Sequence, residues 1–148
     1  MSIYIHKSHN VNVLIYHLVC PTKYRRVVIT DKVDKILKET CLGIALRYEM
    51  HFLEIGTDHD HVHFLIQTIP MTLPTNMVRK IKSLTSREIF DQAPEIKKQL
   101  WGGEFWSDEY YLSTVGKNGS ETAIQEYVKG QGRQKEYIKL HKDQLQLF

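Results

Sequence analysis

The chain has 148 residues and a mass of 17.4 kDa, with 42% hydrophobic residues, 25% charged residues and a formal net charge of +3. This composition excludes disordered and fibrous proteins and predicts a single domain over residues 1–148. The two cysteines, Cys20 and Cys41, exclude a disulfide framework and predict a reducing compartment. Because no apolar run reaches the roughly 20 residues that span a bilayer, and the start has no signal-peptide pattern, we expect a cytoplasmic protein without membrane contact.

Hydrophobic periodicity and turn residues predict alternating strands and helices along the chain. The first strand covers residues 11–20 and ends at Pro21, and a helix then runs from a cap at Asp31 to about residue 47. The later elements are, in chain order, strands over 48–56 and 61–69 joined by a polar turn at 57–60, a helix from Pro74 to about residue 90, a strand over 105–115, a flexible break at 116–119, and a last helix at about 120–141 capped by Ser120. This order predicts an α+β fold, a mainly antiparallel sheet with helices packed on it, ferredoxin-like in outline.

The densest chemical signal is a run of histidines at the start of the predicted strand 61–69. His61 and His63 alternate with Val62, so in a strand both imidazoles project from the same face. Two neutral imidazoles held in this way can bind one divalent metal ion. A pair of surface histidines on a half-exposed strand is the alternative interpretation, because the pattern is short.

The last predicted helix offers a nucleophile and a further metal ligand. Tyr127 and Gln131 are four residues apart and share one face of a continuous helix. A tyrosine beside a metal ion can attack a phosphate, and a glutamine oxygen suits a hard ion such as Mg²⁺ or Mn²⁺. In the alternative interpretation Tyr127 packs against Ile124 and Val128, and the glycines on both sides of Gln131 bend the helix.

Sequence blocks that span most of the chain together resemble the small single-tyrosine HUH transposases, called TnpA, of insertion sequences that move as single-stranded DNA. The blocks lie, in chain order, at 17–19 (HLV) with 22–26 (TKYRR), 60–65 (DHVHFL), 81–87 (IKSLTSR), 105–107 (FWS) with Tyr110, Tyr111 and 114–116 (TVG), and finally Tyr127 with Gln131. The resemblance implies an HUH-type α/β sandwich in which His61, His63 and Gln131 hold the metal. Ser83 departs from the pattern, because members of the family commonly have glycine at this position.

The resemblance implies an enzyme that cleaves and rejoins single-stranded DNA at the ends of an insertion sequence. The Tyr127 hydroxyl would attack the scissile phosphate with assistance from Mg²⁺ or Mn²⁺, which gives a 5′-phosphotyrosine and a free 3′-hydroxyl. The implied substrates are DNA hairpins, and the implied assembly is a homodimer with active sites shared between chains. A hinge bounded by Gly116 and Gly119 would let the tyrosine helix dock on the histidine pair of the other chain.

Contacts with DNA are expected from two groups of side chains. Phosphate contacts are expected from basic residues, namely Lys23, Arg25, Arg26, Arg79, Lys82 and Arg87. Bases can stack on an aromatic segment that otherwise packs in the core, namely Trp106, Tyr110 and Tyr111.

Two other functions are compatible with parts of the sequence. A non-catalytic relative would keep the fold and the basic surface and would only bind DNA hairpins. A histidine-triad nucleotide hydrolase would use the pattern of His59, His61 and His63. Asp60 argues against this enzyme, because its motif has apolar residues between the histidines.

Overall fold

The structure is a computed structural model that describes residues 6–7, 10–11 and 14–115. Its strands are β1 (His6–Lys7), β2 (Asn10–Val11), β3 (Leu14–Pro21), β4 (His51–Thr57), β5 (His61–Thr68) and β6 (Tyr111–Val115). Its helices are α1 (Asp31–Tyr48), α2 (Pro74–Gln92) and the short α3 (Pro94–Lys98), with 3-10 turns at Lys23–Arg25 and Trp101–Gly103. Among the described residues, no helix combines the length and the hydropathy that a membrane span needs. The predicted break at 116–119 and the predicted helix at about 120–141 lie outside the described residues.

One four-stranded antiparallel sheet organises the fold, in the order β4-β5-β3-β6. β3 lies inside the sheet and pairs with β5 over its whole length, from Leu14 opposite Thr68 to Pro21 opposite His61. Apart from the short α3, the elements from β3 to β6 follow the order strand, helix, strand, strand, helix, strand. This is the ferredoxin-like order, so the α+β fold predicted from the sequence is confirmed.

The two faces of this sheet bury different kinds of side chain. α1 and α2 pack over the first face, where Leu18, Phe64 and Ile66 belong to the main hydrophobic core. Because side chains alternate along a strand, His17 and His63 project from the second face. The buried apolar residues of the second face form a smaller cluster of Ile15, Leu53, Leu65 and Val115.

The start of α1 differs by one residue from the prediction. The cap is Thr30, whose side-chain oxygen accepts a hydrogen bond from the backbone N–H of Val33 over 3.2 Å. The prediction of Asp31 as the cap is therefore wrong, because two cap-forming residues are adjacent and the first of them has the extended backbone that a cap needs. Asp31 lies in the first turn instead, where its negative charge interacts favourably with the positive end of the helix dipole.

Three predicted strands have other bounds in the structure. The strand predicted at 48–56 begins only at His51, because α1 continues to Tyr48. The strand predicted at 11–20 is divided, because Asn10–Val11 pairs with His6–Lys7 in a separate ladder and β3 begins at Leu14. The strand predicted at 105–115 contributes only β6 to the sheet. Residues 105–107 instead bond to the chain just after β3, with Lys23 N–H donating to Phe105 O over 2.8 Å. Phe105 and Trp106 therefore pack in the main hydrophobic core and do not extend β6.

Candidate functional site

β5 begins with two histidines on the second face of the sheet. The ring centroids of His61 and His63 are 5.1 Å apart, and the ring planes meet at 73°. Val62 between them is fully buried on the opposite, helix-covered face, as the predicted alternation requires. In the register with β3, His61 lies opposite Pro21 and His63 opposite Val19. The pair therefore lies at the end of the sheet where β3 ends.

Asp60 and Arg25 together hold the ring of His61. Nδ1 of His61 lies 2.8 Å from Oδ1 of Asp60, and Nε of Arg25 donates to Oδ2 of the same carboxylate over 3.2 Å. The hydrogen bond from His61, and secondarily the charge of Arg25, lower the pKa of Asp60. The carboxylate is therefore ionised and accepts from Nδ1–H of His61. In the neutral ring this leaves the lone pair on Nε2, the form in which an imidazole binds a metal.

His63 contacts a third histidine, which lies on β3. Nε2 of His17 is 3.0 Å from Nδ1 of His63, and the two ring planes are nearly parallel with centroids 5.3 Å apart. Burial lowers the pKa of His17, and burial together with the nearby imidazoles lowers the pKa of His63 to about 4. Both rings are therefore uncharged at neutral pH, which is the protonation state that a histidine needs to bind a metal.

These imidazoles alone do not make a complete metal site. Within the described residues, no three side chains of His, Cys, Asp or Glu form a group that can hold a metal ion. Gln131, the expected further ligand, and Tyr127, the expected nucleophile, lie outside the described residues. His59 is exposed in the turn before β5, where its backbone N–H donates to Oδ1 of Asp58 over 2.7 Å. It is therefore not part of the strand that carries the other two histidines.

A groove of about 600 Å³ lies between α2 and the chain that leads to β6. Three of the predicted phosphate-binding residues, Arg79, Lys82 and Arg87, line it along α2. Lys82 donates to the carbonyl oxygen of Ser107 over 2.7 Å, so its ammonium is fixed in the wall between the two sides. Arg79 and Arg87 are exposed. Ser83, where the resembling family commonly has glycine, is exposed in the same wall and is not a helix-packing position.

The other three predicted phosphate-binding residues surround the 3-10 turn that follows β3. Lys23 is 2.9 Å from Oε2 of Glu104 and 3.8 Å from Oδ2 of Asp108, so its charge is already balanced. Arg25 contacts Asp60, as described above, and Arg26 is exposed. The structure thus shows Arg25, Arg26, Arg79 and Arg87 as exposed, although Arg25 also pairs with Asp60, whereas Lys23 and Lys82 are half-buried and contact neighbouring groups.

The aromatic segment divides in the same way. Trp106 is buried with Phe105 in the main core, which fits the packing alternative. Tyr110 and Tyr111 are 40% and 57% exposed, respectively, and Tyr110 lines the groove with the ammonium of Lys82 5.5 Å from its ring centre. Only the tyrosines therefore present a surface on which a base can stack.

Sequence reasoning gave no role to two residues that contact the histidine pair. Asp60 belongs to the DHVHFL block, but no contact with His61 was predicted for it from the sequence, although it directly precedes that residue. His17 lies 46 residues from His63, and only the register of β3 against β5 brings the two together. Alternation along each strand shows which residues share a face within that strand. Once β3 is paired with β5 in this register, His17 and His63 project from the same face.

Residues 10–131 match the family described as IS200-like transposases. The chain belongs to this transposase family. The transposase is 32% identical over 116 residues to the ISDra2 transposase TnpA of Deinococcus radiodurans, across 78% of this chain and 82% of that protein. It is 32% identical over 120 residues to the transposase for insertion sequence element IS200 of Salmonella typhimurium, across 78% of this chain and 75% of that protein.

Solved structures share the fold of the transposase. A protein of Deinococcus radiodurans R1 described as a transposase superposes with a TM-score of 0.68 and 29% identity, covering 86% of this chain and 98% of that one. A REP-associated tyrosine transposase bound to a REP hairpin superposes with a TM-score of 0.61 at 10% identity, covering 86% of this chain and 70% of that one. The first similarity supports the family, and the second shows the common fold. The resemblance drawn from the sequence blocks is thereby confirmed.

Proposed function

We propose that this transposase cleaves and rejoins single-stranded DNA at the ends of an insertion sequence, through a 5′-phosphotyrosine formed on Tyr127. The observation that carries the proposal is the pair His61 and His63, whose rings share one face and contact Asp60 and His17. These contacts support a role as metal ligands, because a metal-binding histidine usually has its other ring nitrogen engaged by a neighbouring group.

The chemistry of these side chains fits Mg²⁺ or Mn²⁺, with Gln131 as a further ligand. The Asp60 carboxylate fixes the ring of His61, and the low pKa of His63 keeps that imidazole uncharged at neutral pH. A hard divalent ion also takes oxygen ligands, which the amide of Gln131 and the DNA phosphate supply. When bound, the ion polarises the scissile phosphate and stabilises the charge that develops during the displacement.

In the cleavage step, the hydroxyl oxygen of Tyr127 bonds to phosphorus while the bond from phosphorus to the 3′-oxygen breaks. The phenol loses its proton and the leaving 3′-oxygen gains one, so the products are a 5′-phosphotyrosine and a free 3′-hydroxyl. Because one phosphate ester replaces another, a different 3′-hydroxyl can attack the phosphotyrosine and rejoin the strand. The exchange therefore needs no nucleoside triphosphate.

The groove along α2 supports single-stranded DNA as the partner. Its arginines attract phosphates, and Tyr110 offers a ring to a base. The groove and the histidine pair are joined through the chain after β3. Thr22 N–H donates to Asp60 O over 2.9 Å, and Ser107 N–H donates to Pro21 O over 2.9 Å. The segment at 105–107, which lines the groove, and the turn that precedes His61 therefore both bond to residues 21–22.

We also propose that the substrate is a folded hairpin and that the protein acts as a homodimer. The hairpin is supported by family membership and by the structural neighbour, which is bound to a REP hairpin. In the proposed dimer, Tyr127 of one protomer completes the histidine pair of its partner, and the glycine break predicted at 116–119 supports the exchange.

The deciding experiment incubates the protein with labelled single-stranded hairpin DNA from an insertion-sequence end in the presence of Mg²⁺ or Mn²⁺. Wild-type protein is expected to form a covalent adduct with the 5′ side of the cut, visible by denaturing electrophoresis. Tyr127→Phe removes one oxygen and is expected to abolish the adduct while hairpin affinity stays within about threefold, since one hydroxyl contributes little to a phosphate-dominated interface. Tyr48→Phe, at the end of α1, is the matched control and is expected to form the adduct normally.

The same assay separates the proposal from its main rival. A non-catalytic relative binds the hairpin and forms no adduct at any metal concentration. An adduct that persists in Tyr127→Phe would show instead that another tyrosine is the nucleophile.

A further inference from the structure

We propose that His17 is a positioning residue for the metal ligand His63, because it accepts a hydrogen bond from Nδ1–H of His63 and thereby directs the Nε2 lone pair of that ring to the metal ion. The inference rests on the proposed function, since it assumes that His63 binds the metal. It adds a residue of β3 to a site otherwise built from β5 and its preceding turn.

The geometry of the pair is that of a fixed contact between two rings. Nε2 of His17 and Nδ1 of His63 are 3.0 Å apart, which is a normal hydrogen-bond distance. The ring planes are inclined by only 14°, so each imidazole also limits the rotation of the other. His17 is 9% exposed and His63 is 5% exposed, and water therefore has little room to replace the contact.

One proton lies between these two nitrogens, and its place decides whether His63 can bind a metal. If His17 were the donor, Nδ1 of His63 would be the acceptor and the ring proton of neutral His63 would be on Nε2. Neither nitrogen of His63 would then offer a lone pair to an ion. If His63 is the donor, Nε2 carries the lone pair that a metal requires.

The neighbouring ligand shows the same arrangement. His61 is held through Nδ1 by the carboxylate of Asp60, which can only accept in its ionised form. His17 thus does for His63 what Asp60 does for His61, but with an uncharged acceptor. A neutral acceptor suits the more buried ring, because a second carboxylate there would be costly to desolvate. Both ligands then have Nδ1 engaged by a neighbour, as is usual for metal-binding histidines.

The first measurement reads the proton directly in the wild-type protein stripped of metal by EDTA. Two-bond ¹H–¹⁵N spectra distinguish the two neutral tautomers, and His63→Gln identifies the signals of His63 by their loss. The inference expects His63 with the proton on Nδ1. A His63 ring with its proton on Nε2 overturns it, and this result needs no variant of His17 to fold.

The second measurement is the affinity for Mn²⁺ alone, by calorimetry or electron paramagnetic resonance. His17→Phe keeps a ring of similar size but has no acceptor, and is expected to weaken Mn²⁺ binding by about 10–100-fold. His17→Gln places an amide oxygen near the position of Nε2 and is expected to restore the affinity to within about threefold of wild type, because the acceptor is replaced. Ser113→Ala, directly opposite His17 on β6, is the control and is expected to bind Mn²⁺ as wild type does.

The outcomes separate this inference from the function on which it rests. Wild-type protein that binds Mn²⁺, together with a His17→Phe variant of equal affinity, overturns the positioning role and leaves the metal site intact. Wild-type protein that binds no Mn²⁺ while His61→Ala and His63→Ala change nothing overturns the metal site itself, and the inference with it. Loss in His17→Phe with recovery in His17→Gln supports the role, since a defect of packing alone would not be repaired by a flexible amide.

Discussion

Trp106 donates a hydrogen bond from Nε1 to Oγ1 of Thr85 over 2.9 Å, and this bond joins the two sides of the basic groove. Thr85 is fully buried in α2, and its own hydroxyl donates to Ile81 O over 2.6 Å. The indole therefore anchors the chain before β6 to the helix that carries Arg79 and Arg87. Because this wall is fixed before DNA arrives, only the exposed side chains of these arginines have to be ordered on binding, not the helix that carries them.

The exposed arginines of α2 are expected to set the salt dependence of DNA binding. Arg79→Gln removes one charge from the groove, so the slope of log K against log salt should become shallower by about 0.7 for a single-stranded phosphate contact. Lys35→Gln removes the same charge from an exposed position of α1 and should leave the slope unchanged. Fluorescence anisotropy of a labelled hairpin at several salt concentrations measures both, and equal slopes for the two variants would contradict a DNA-binding groove.

The carboxylate of Asp60 is expected to be needed for metal affinity rather than for folding. Asp60→Asn keeps the shape but removes the charge that accepts from His61 and pairs with Arg25, so we expect Mn²⁺ binding to weaken by about 10–100-fold. Asp58→Asn is the matched control, because Asp58 lies in the same turn, its carboxylate accepts from the backbone N–H of His59, and an asparagine oxygen can still accept this bond. Calorimetric titration with Mn²⁺ tests the pair. Equal affinities in the two variants would rule out a role for the carboxylate.

A buried ion pair on the helix-covered face of the sheet is expected to contribute strongly to the free energy of unfolding when one partner is removed. Asp34 accepts from Oγ1 of Thr57 over 2.6 Å and from Nζ of Lys38 over 3.1 Å, with both charged side chains under one-tenth exposed. Asp34→Ala removes the carboxylate that lies 3.1 Å from the buried ammonium of Lys38, so the free energy of unfolding should fall by about 3–5 kcal/mol.

Its control uses an ion pair on the surface. Glu95 and Lys32 are 3.0 Å apart but more than half exposed, so Glu95→Ala should change the midpoint of urea unfolding far less than Asp34→Ala does. Comparable shifts in the two variants would mean that burial does not determine the strength of these pairs.

The shared active site proposed for the dimer is expected to appear as complementation. One inactive protein carries His61→Ala and His63→Ala, and the other carries Tyr127→Phe. If sites form between chains, a mixed dimer contains one complete site, and cleavage should return at up to about half of the wild-type level by two-fold symmetry. Continued inactivity after verified subunit exchange would reject the arrangement between chains for the cleavage step.

The two thiols are expected to resist modification in the native protein. Cys20 and Cys41 are at most 1% exposed, and burial raises the pKa of Cys20 to about 12 and that of Cys41 further. Alkylation at pH 8 should therefore require unfolding and reach both thiols only in urea. Since an unfolded cysteine ionises near pH 9.0 and the folded thiols do not, the unfolding free energy should also fall as the pH rises above 9.0. Thiol titration and urea melts measure these effects, and rapid labelling of the folded chain would refute them.

Much of the fold follows from local patterns in the sequence. The apolar stripe of α1, the turn at 57–60 and Pro74 at the start of α2 are all properties of short segments, and the structure shows each of them. The strand predicted at 105–115 was too long because the hydrogen bonds of residues 105–107 go to a distant segment, the turn after β3. Periodicity describes which residues alternate, but it does not identify the chain with which they pair.

In the candidate site, too, features set within one strand were predictable and features that depend on the pairing of distant segments were not. The common face of His61 and His63 was predictable, because neighbours in one strand determine it. The contact between His17 and His63 was not, because it depends on the register between two strands. The charge balance of Lys23 by Glu104 and Asp108 likewise needed the tertiary structure, and it separates a structural lysine from the DNA-binding candidates around it.

The position of β3 between two partners restricts how the gene can change. A codon lost or gained between Leu14 and Pro21 would shift the register of both ladders by one residue, which would turn His17 towards the helices and Leu18 towards the face that carries His63. β4, at the edge of the sheet, already contains an irregular step at Leu53, where an extra residue is accommodated between Phe52 and Glu54. Among natural variants, we therefore expect insertions and deletions to be more frequent in β4 than in β3. The spacing within the HLV block at 17–19 should be kept even where its residues are substituted.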